Sequence, residues 1–229
     1  MDHGSEPYTI LQVIIKAEIN HRGYNHPEFV DSFLNYAQIV LTHYSDRVGH
    51  WITFNEPGVD TASGSYISGY NIVMAHSKVV HWYREEIRGT AQWSYKSSFP
   101  NGFGVPLEPW NPGDIAAAKR AEDFALGWIA YPIYLGRQVP DSVLTTLGSK
   151  APRFTNAELA YARGTCDFMA IDYYVTSYQT QPHGGIEACA RNSSNPAFPI
   201  CTVSVSSRAG WPVVSKFFSI VTCSFHIAE

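Results

Sequence analysis

The feature that most constrains the fold is the order in which two hydrophobic periodicities alternate along the chain. Residues 27–44 place Phe29, Phe33, Tyr36, Ala37, Val40, Leu41 and Tyr44 at helical spacing, behind Pro27 in the first turn and closing near Gly49. The short run Val48-Gly49-His50-Trp51-Ile52-Thr53-Phe54 follows and stops at Asn55-Glu56-Pro57, where proline prevents further pairing, so it reads as a buried strand. A second amphipathic helix is expected over 70–88, with Gly89 as its stop. Gly102-Phe103-Gly104-Val105-Pro106-Leu107 is strand-like, and Asp114 caps a long helix running towards Pro132. Thr155-Asn156-Ala157-Glu158 is a capping box for a helix that Gly164 ends, and Asp167 to Val175 is another buried strand. Helices alternating with short apolar strands predict βαβ units around a parallel sheet, with three strands counted in this way. From 182 to 212 the chain turns to Pro, Gly, Ser and Asn, an irregular excursion.

Composition narrows the partners. A net charge of -4 provides no basic excess to neutralise phosphates, so neither nucleic acid nor an anionic membrane surface is expected as a partner. Charged residues make up only 16% against 45% apolar, which predicts a large buried core rather than disorder. The apolar run Tyr8 to Ile15 has Asp2 and Glu6 where a signal peptide needs positive charge, so no signal peptide is expected. Val213 to Cys223 is too short, and interrupted by Lys216, to span a membrane. The nine histidines show no His-x-x-x-His pattern with an acidic companion; neither a metal nor a cofactor is expected.

Cys189 and Cys201 flank a polar loop that also carries the glycosylation acceptor Asn192-Ser193-Ser194, and together they suggest an oxidising, secretory origin. Cys166 lies in an apolar run and reads as a small core residue, while Cys223 is left without a partner by this reasoning.

The strongest local signal for chemistry is Trp51-Ile52-Thr53-Phe54-Asn55-Glu56-Pro57. In a parallel sheet ligands gather at the carboxyl ends of strands, so Asn55 and Glu56 would point into a site. A carboxyl there can donate a proton to a leaving oxygen if burial or a second carboxylate raises its pKa. The position alone suits an ordinary solvated glutamate at a loop start equally well.

Thr53-Phe54-Asn55-Glu56-Pro57 resembles the acid/base motif of family 1 glycoside hydrolases, the β-glucosidase family. Four further motifs resemble the family in order. They are Asn35-Tyr36-Ala37 with Tyr44 to Val48; Ala75-His76 with Tyr83-Arg84; Asp123-Phe124 and Gly127-Trp128 through Pro152 to Thr155; and the sixth-strand motif Asp167 to Tyr174. The cysteine loop and Gly210-Trp211-Pro212 resemble secreted fungal members in particular, which implies an extracellular parent type. The resemblance spans 22–212, leaving 1–21 and 213–229 as extensions outside it.

It implies an α/β fold, a partial (β/α)8 TIM barrel holding roughly strands four to six, and retaining hydrolysis of a β-glucoside or short β-linked oligosaccharide. In that chemistry an acid protonates the glycosidic oxygen while a second carboxylate, about 5–5.5 Å away, attacks the anomeric carbon. Carried over by position, Glu56 would be the acid/base, Asn55 would bind the sugar 2-hydroxyl, and Tyr174 would orient the nucleophile. Asp172 stands where many members have asparagine, and Glu108 and Trp110 would line the pocket from the end of a neighbouring strand. Without the family, Tyr173 and Tyr174 are simply strand aromatics and Asp172 a hydrogen-bonded barrel residue.

The family's nucleophile lies in a Glu-Asn-Gly context on its seventh strand, and no glutamate of these 229 residues has that context. Three strands of eight would also leave two open edges, so the segment should aggregate or need completion. Two other readings stay open: a non-catalytic sugar-binding pseudoenzyme, and a related barrel glycosidase of the endoglucanase kind.

Overall fold

A computed structural model describes residues 8–11, 23–57, 66–98, 103–173, 176–206 and 219–223. Its strands are β1 (Tyr8–Ile10), β2 (His50–Asn55), β3 (Gln92–Ser98), β4 (Phe103–Pro106), β5 (Met169–Tyr173), β6 (Thr176–Thr180), β7 (Val203–Val205) and β8 (Ser219–Cys223). Its helices are α1 (Phe29–Tyr44), α2 (Ile67–Trp82), α3 (Pro112–Glu122), α4 (Trp128–Ala130), α5 (Asp141–Leu147), α6 (Asn156–Ala162) and α7 (Ile186–Ala190). A five-stranded sheet runs in the order β1-β2-β3-β5-β8, with a second, three-stranded sheet β4-β6-β7. The pairs β1/β2, β2/β3 and β3/β5 are parallel, whereas β8 lies antiparallel to β5. Helices on the connections β2-α2-β3 and β3-α3-β5 make these the βαβ units that the alternation of periodicities predicts.

The main core fills the space between one face of this sheet and the helices. Spacing of i, i+4 puts Phe29, Phe33, Ala37 and Leu41 on the buried side of α1, where the Phe33 ring stacks 4.4 Å from that of Phe54 on β2. Trp51 and Trp93, on adjacent strands, stack 6.1 Å apart in the same layer. Each such fully buried large side chain contributes about 1.5–3 kcal/mol. A small separate cluster of Ile52, Phe168 and Ala170 lies outside that core, on the opposite face of the sheet.

Several local expectations change. The strand expected over 102–107 forms, as β4, but in the second sheet; the strand between β2 and β5 in the main sheet is β3. Gln92-Trp93-Ser94-Tyr95-Lys96-Ser97 alternates aromatic with polar residues and has no β-branched residue, so its signal is a period of two rather than an apolar run. Trp93 and Tyr95 supply the buried stripe. The cap of α3 is Asn111, whose side chain accepts from the Gly113 amide at 2.8 Å, and not Asp114. Asp114 is buried instead, accepting from the Glu108 amide at 3.0 Å and from the Thr180 hydroxyl at 2.6 Å, which fastens α3 to the second sheet.

After α2 a π-turn (Tyr83–Ile87) ends on left-handed Arg88, φ 57°. Gly89 is needed for closeness rather than for its dihedral, since a Cβ there would stand 1.9 Å from the Tyr83 hydroxyl. The capping box forms as expected, with Thr155 and Glu158 bonding reciprocally at the start of α6. Cys189 and Cys201 are joined by a disulfide, with Cα atoms 5.7 Å apart. The loop that they close docks on α3 through Arg120, a nearly buried guanidinium that donates to the carbonyls of Pro199, at 3.2 Å, and Ile200. Cys166 is buried and free, and its burial pushes the thiol up to about 12, which makes it the inert core residue expected. No described helix is long and apolar enough to cross a membrane.

Candidate active site

The site begins with an extra residue in β2. Between Ile52 and Asn55 the strand advances three residues while β3 advances two, from Ser94 to Lys96: a β-bulge. Its result is that Thr53 and Phe54, though consecutive, both pack on the helix side. Thr53 bonds His76 of α2 at 2.7 Å, while Phe54 stacks on α1. Without the bulge, strict alternation would put Asn55 on the helix side. With it, Asn55 returns to the face of Ile52, away from the helices, at the carboxyl end of the strand.

Glu56 follows in the left-handed region, φ 49°, an uncommon conformation for a residue with a side chain. Its amide is held at 2.7 Å by the carbonyl of Lys96, which compensates a strained turn at the point where the carboxylate leaves the strand. The side chain of Lys96 reaches across to Asp172 on β5, Nζ to Oδ2 at 2.6 Å, and both side chains are mostly buried. Register supports the same grouping: Asn55 lies opposite Lys96, Lys96 opposite Ala170, and Asp172 two residues further along. Asn55, Glu56, Lys96 and Asp172 therefore share one rim of the parallel sheet, the end at which parallel α/β folds bind their ligands.

Behind this rim is a fully buried polar link. The Nε2–H of His76 donates to the Thr165 carbonyl at 3.1 Å, which leaves Nδ1 to accept from the Thr53 hydroxyl at 2.7 Å. Complete burial pushes the imidazole down to about 3, so it is neutral at ordinary pH. Two residues ahead of Asn55, β2 is thus tied both to α2 and to the approach to β5.

Of the residues singled out from sequence, Asn55, Glu56 and Asp172 come together. Lys96 joins them unforeseen, because it belongs to the strand that the apolar-run criterion passes over. Tyr174 lies outside the described residues, as does Gly210-Trp211-Pro212. Glu108 and Trp110 are not at the end of a main-sheet strand. They follow β4 in the second sheet, where the Glu108 amide bonds Asp114 and Trp110 is 72% exposed. Asn192 is exposed, and its side-chain oxygen accepts from the Ser194 amide at 3.0 Å. Among the described residues no group of three His, Cys, Asp or Glu side chains is placed to hold a metal.

Comparison with known proteins adds to this geometry. The model of glycosyl hydrolase family 1 matches residues 15–214. Beta-glucosidase 40 of Arabidopsis thaliana is 31% identical over 76% of this chain and 40% of its own length. Beta-glucosidase 1B of Phanerodontia chrysosporium is 32% identical over 67% of this chain and 33% of its own. Among solved structures, a family 1 β-glucosidase of the fungus Humicola insolens, in complex with glucose, superposes with a TM-score of 0.69 at 27% identity, covering 83% of this chain and 43% of that one. The rice β-glucosidase Os3BGlu6 superposes with a TM-score of 0.70 at 27% identity, over 84% and 45%. The chain spans half or less of the length of the curated relatives that it matches. Its parallel sheet and helices are thus a segment of a (β/α)8 barrel, and the chain belongs to glycosyl hydrolase family 1.

Proposed function

We propose that this chain carries the acid/base half of a retaining β-glucosidase site. Glu56 is the general acid and base, Asn55 binds the sugar 2-hydroxyl, and Tyr174 orients the nucleophile of a complete barrel. The bulge in β2 is the observation that carries this reading, because it turns Asn55 onto the face away from the helices and sends Glu56 off the strand at the rim. Protonation of the glycosidic oxygen by Glu56 would let the aglycone leave; the same group, now a carboxylate, would then take a proton from the water that releases the sugar. Asp172 borders the pocket with its charge cancelled by Lys96, and the family portion runs over 22–212. The disulfide and the exposed Asn192 acceptor support an oxidising, extracellular setting with a glycan on that loop.

A polypeptide of these 229 residues alone is inactive on this reading, since none of its glutamates stands in the Glu-Asn-Gly context. Purified protein should therefore release no nitrophenol from an aryl β-glucoside, and steady release by the 229-residue chain would overturn this assignment. The second reading, a sugar-binding pseudoenzyme, draws on the Lys96–Asp172 pair, which keeps the rim polar without a second reactive carboxylate. Calorimetry with glucose or cellobiose separates the two, and absence of heat at millimolar sugar removes the pseudoenzyme.

A further inference from the structure

The outer edge of β5 is where a parallel strand would extend the sheet, and it is occupied. β8 pairs with β5 along its whole length, from Met169↔Cys223 to Tyr173↔Ser219, but in the antiparallel sense. Every other pairing in this sheet is parallel. The family match stops at residue 214, so β8 lies beyond it. Its sequence, Ser219-Ile220-Val221-Thr222-Cys223, is rich in β-branched residues and contains no carboxylate. Ile220 lies opposite Asp172, so this strand also flanks the rim that holds Asn55 and Glu56.

We propose that β8 is a plug on the edge of β5. It pairs the backbone groups along β5 and becomes the outer strand of the sheet itself. It also occupies the place that a parallel strand of the same barrel would take, so such a strand can pair with β5 only once β8 is displaced. Only the identity of the displacing strand rests on the function proposed above; the plug itself is tested without any activity.

Hydrogen exchange read by mass spectrometry on the intact chain, with the single variants Val221→Pro and Thr222→Pro, makes that test. In an antiparallel pair alternate N–H groups point at the neighbour, so one of the two prolines removes a ladder bond and the other replaces an outward N–H. The expected result is that one variant raises exchange across Met169–Tyr173 about tenfold or more and the other raises it less, while α2 stays as protected as in the parent chain. Unchanged exchange of β5 in both variants overturns the proposal. So does equal loss of protection in β5 and α2, which would make β8 a global support rather than a plug.

Discussion

Replacing His76 gives a quantitative handle on how the acid/base strand is held. Burial keeps this imidazole neutral, with its pKa at about 3 against 6.5 for an exposed histidine. The unfolded chain therefore takes up a proton as pH falls through 6.5, while the folded protein does not until about 3. The contribution is complete above pH 6.5 and is lost progressively as pH falls towards 3. With about 1.4 kcal/mol per pH unit, the step from pH 7.5 to 5.0 removes about 2 kcal/mol, and full protonation about 5 kcal/mol. Urea unfolding followed by tryptophan fluorescence at pH 7.5 and 5.0, on the parent and on His76→Gln, isolates this share from the other titrating groups. The glutamine can still accept from Thr53 and donate to Thr165, so the variant should lose some stability at both pH values. Its loss between the two should be about 2 kcal/mol smaller than the parent's. An equal loss in both proteins would refute the claim that His76 is buried neutral between Thr53 and Thr165.

Other consequences are measurable in the same way. Serine at Cys189 and Cys201 opens a loop of sequence separation 12 and should lower unfolding free energy by about 3 kcal/mol, with a matching loss in an untreated but not in a reduced sample. Lys96→Met leaves the mostly buried Asp172 carboxylate alone and should cost about 2 kcal/mol at neutral pH; the double variant with Asp172→Asn should recover part of that, as a double-mutant cycle by urea denaturation would read.

The parts legible in the sequence were those written in a strong period or a complete cap. The i, i+4 aromatics of α1, the Thr155/Glu158 box and the apolar β5 each announce an element without help from the rest of the chain. β3 was not legible as a run, because its inner face carries Lys96 and its outer face Trp93 and Tyr95; only the period of two marks it. Without β3, β4 reads as the neighbouring main-sheet strand, and this misplaces Glu108 and Trp110. Sequence spacing alone also leaves Asn55 on the wrong side of β2. The bulge that corrects this arises from tertiary packing, with Thr53 drawn to His76 and Phe54 to Phe33. Lys96 becomes a site residue only through register, which no local pattern encodes. β1 and β8 pair with the main sheet from outside the span of the resemblance, so among the described residues its two outer strands are β1 and β8 rather than β2 and β5.

The central claim is that Glu56 is the acid/base of a family 1 site, and the most direct test transplants the segment. Residues 22–212 would replace the corresponding segment of the Humicola insolens β-glucosidase. Turnover of an aryl β-glucoside would then be followed with and without Glu56→Gln. The account predicts that the chimera hydrolyses the glucoside and that Glu56→Gln slows it about 10²–10⁴-fold. It further predicts that azide, which attacks the glycosyl intermediate without needing a base, restores turnover in the variant and yields the β-glycosyl azide. An active chimera whose rate is unchanged by Glu56→Gln would contradict it.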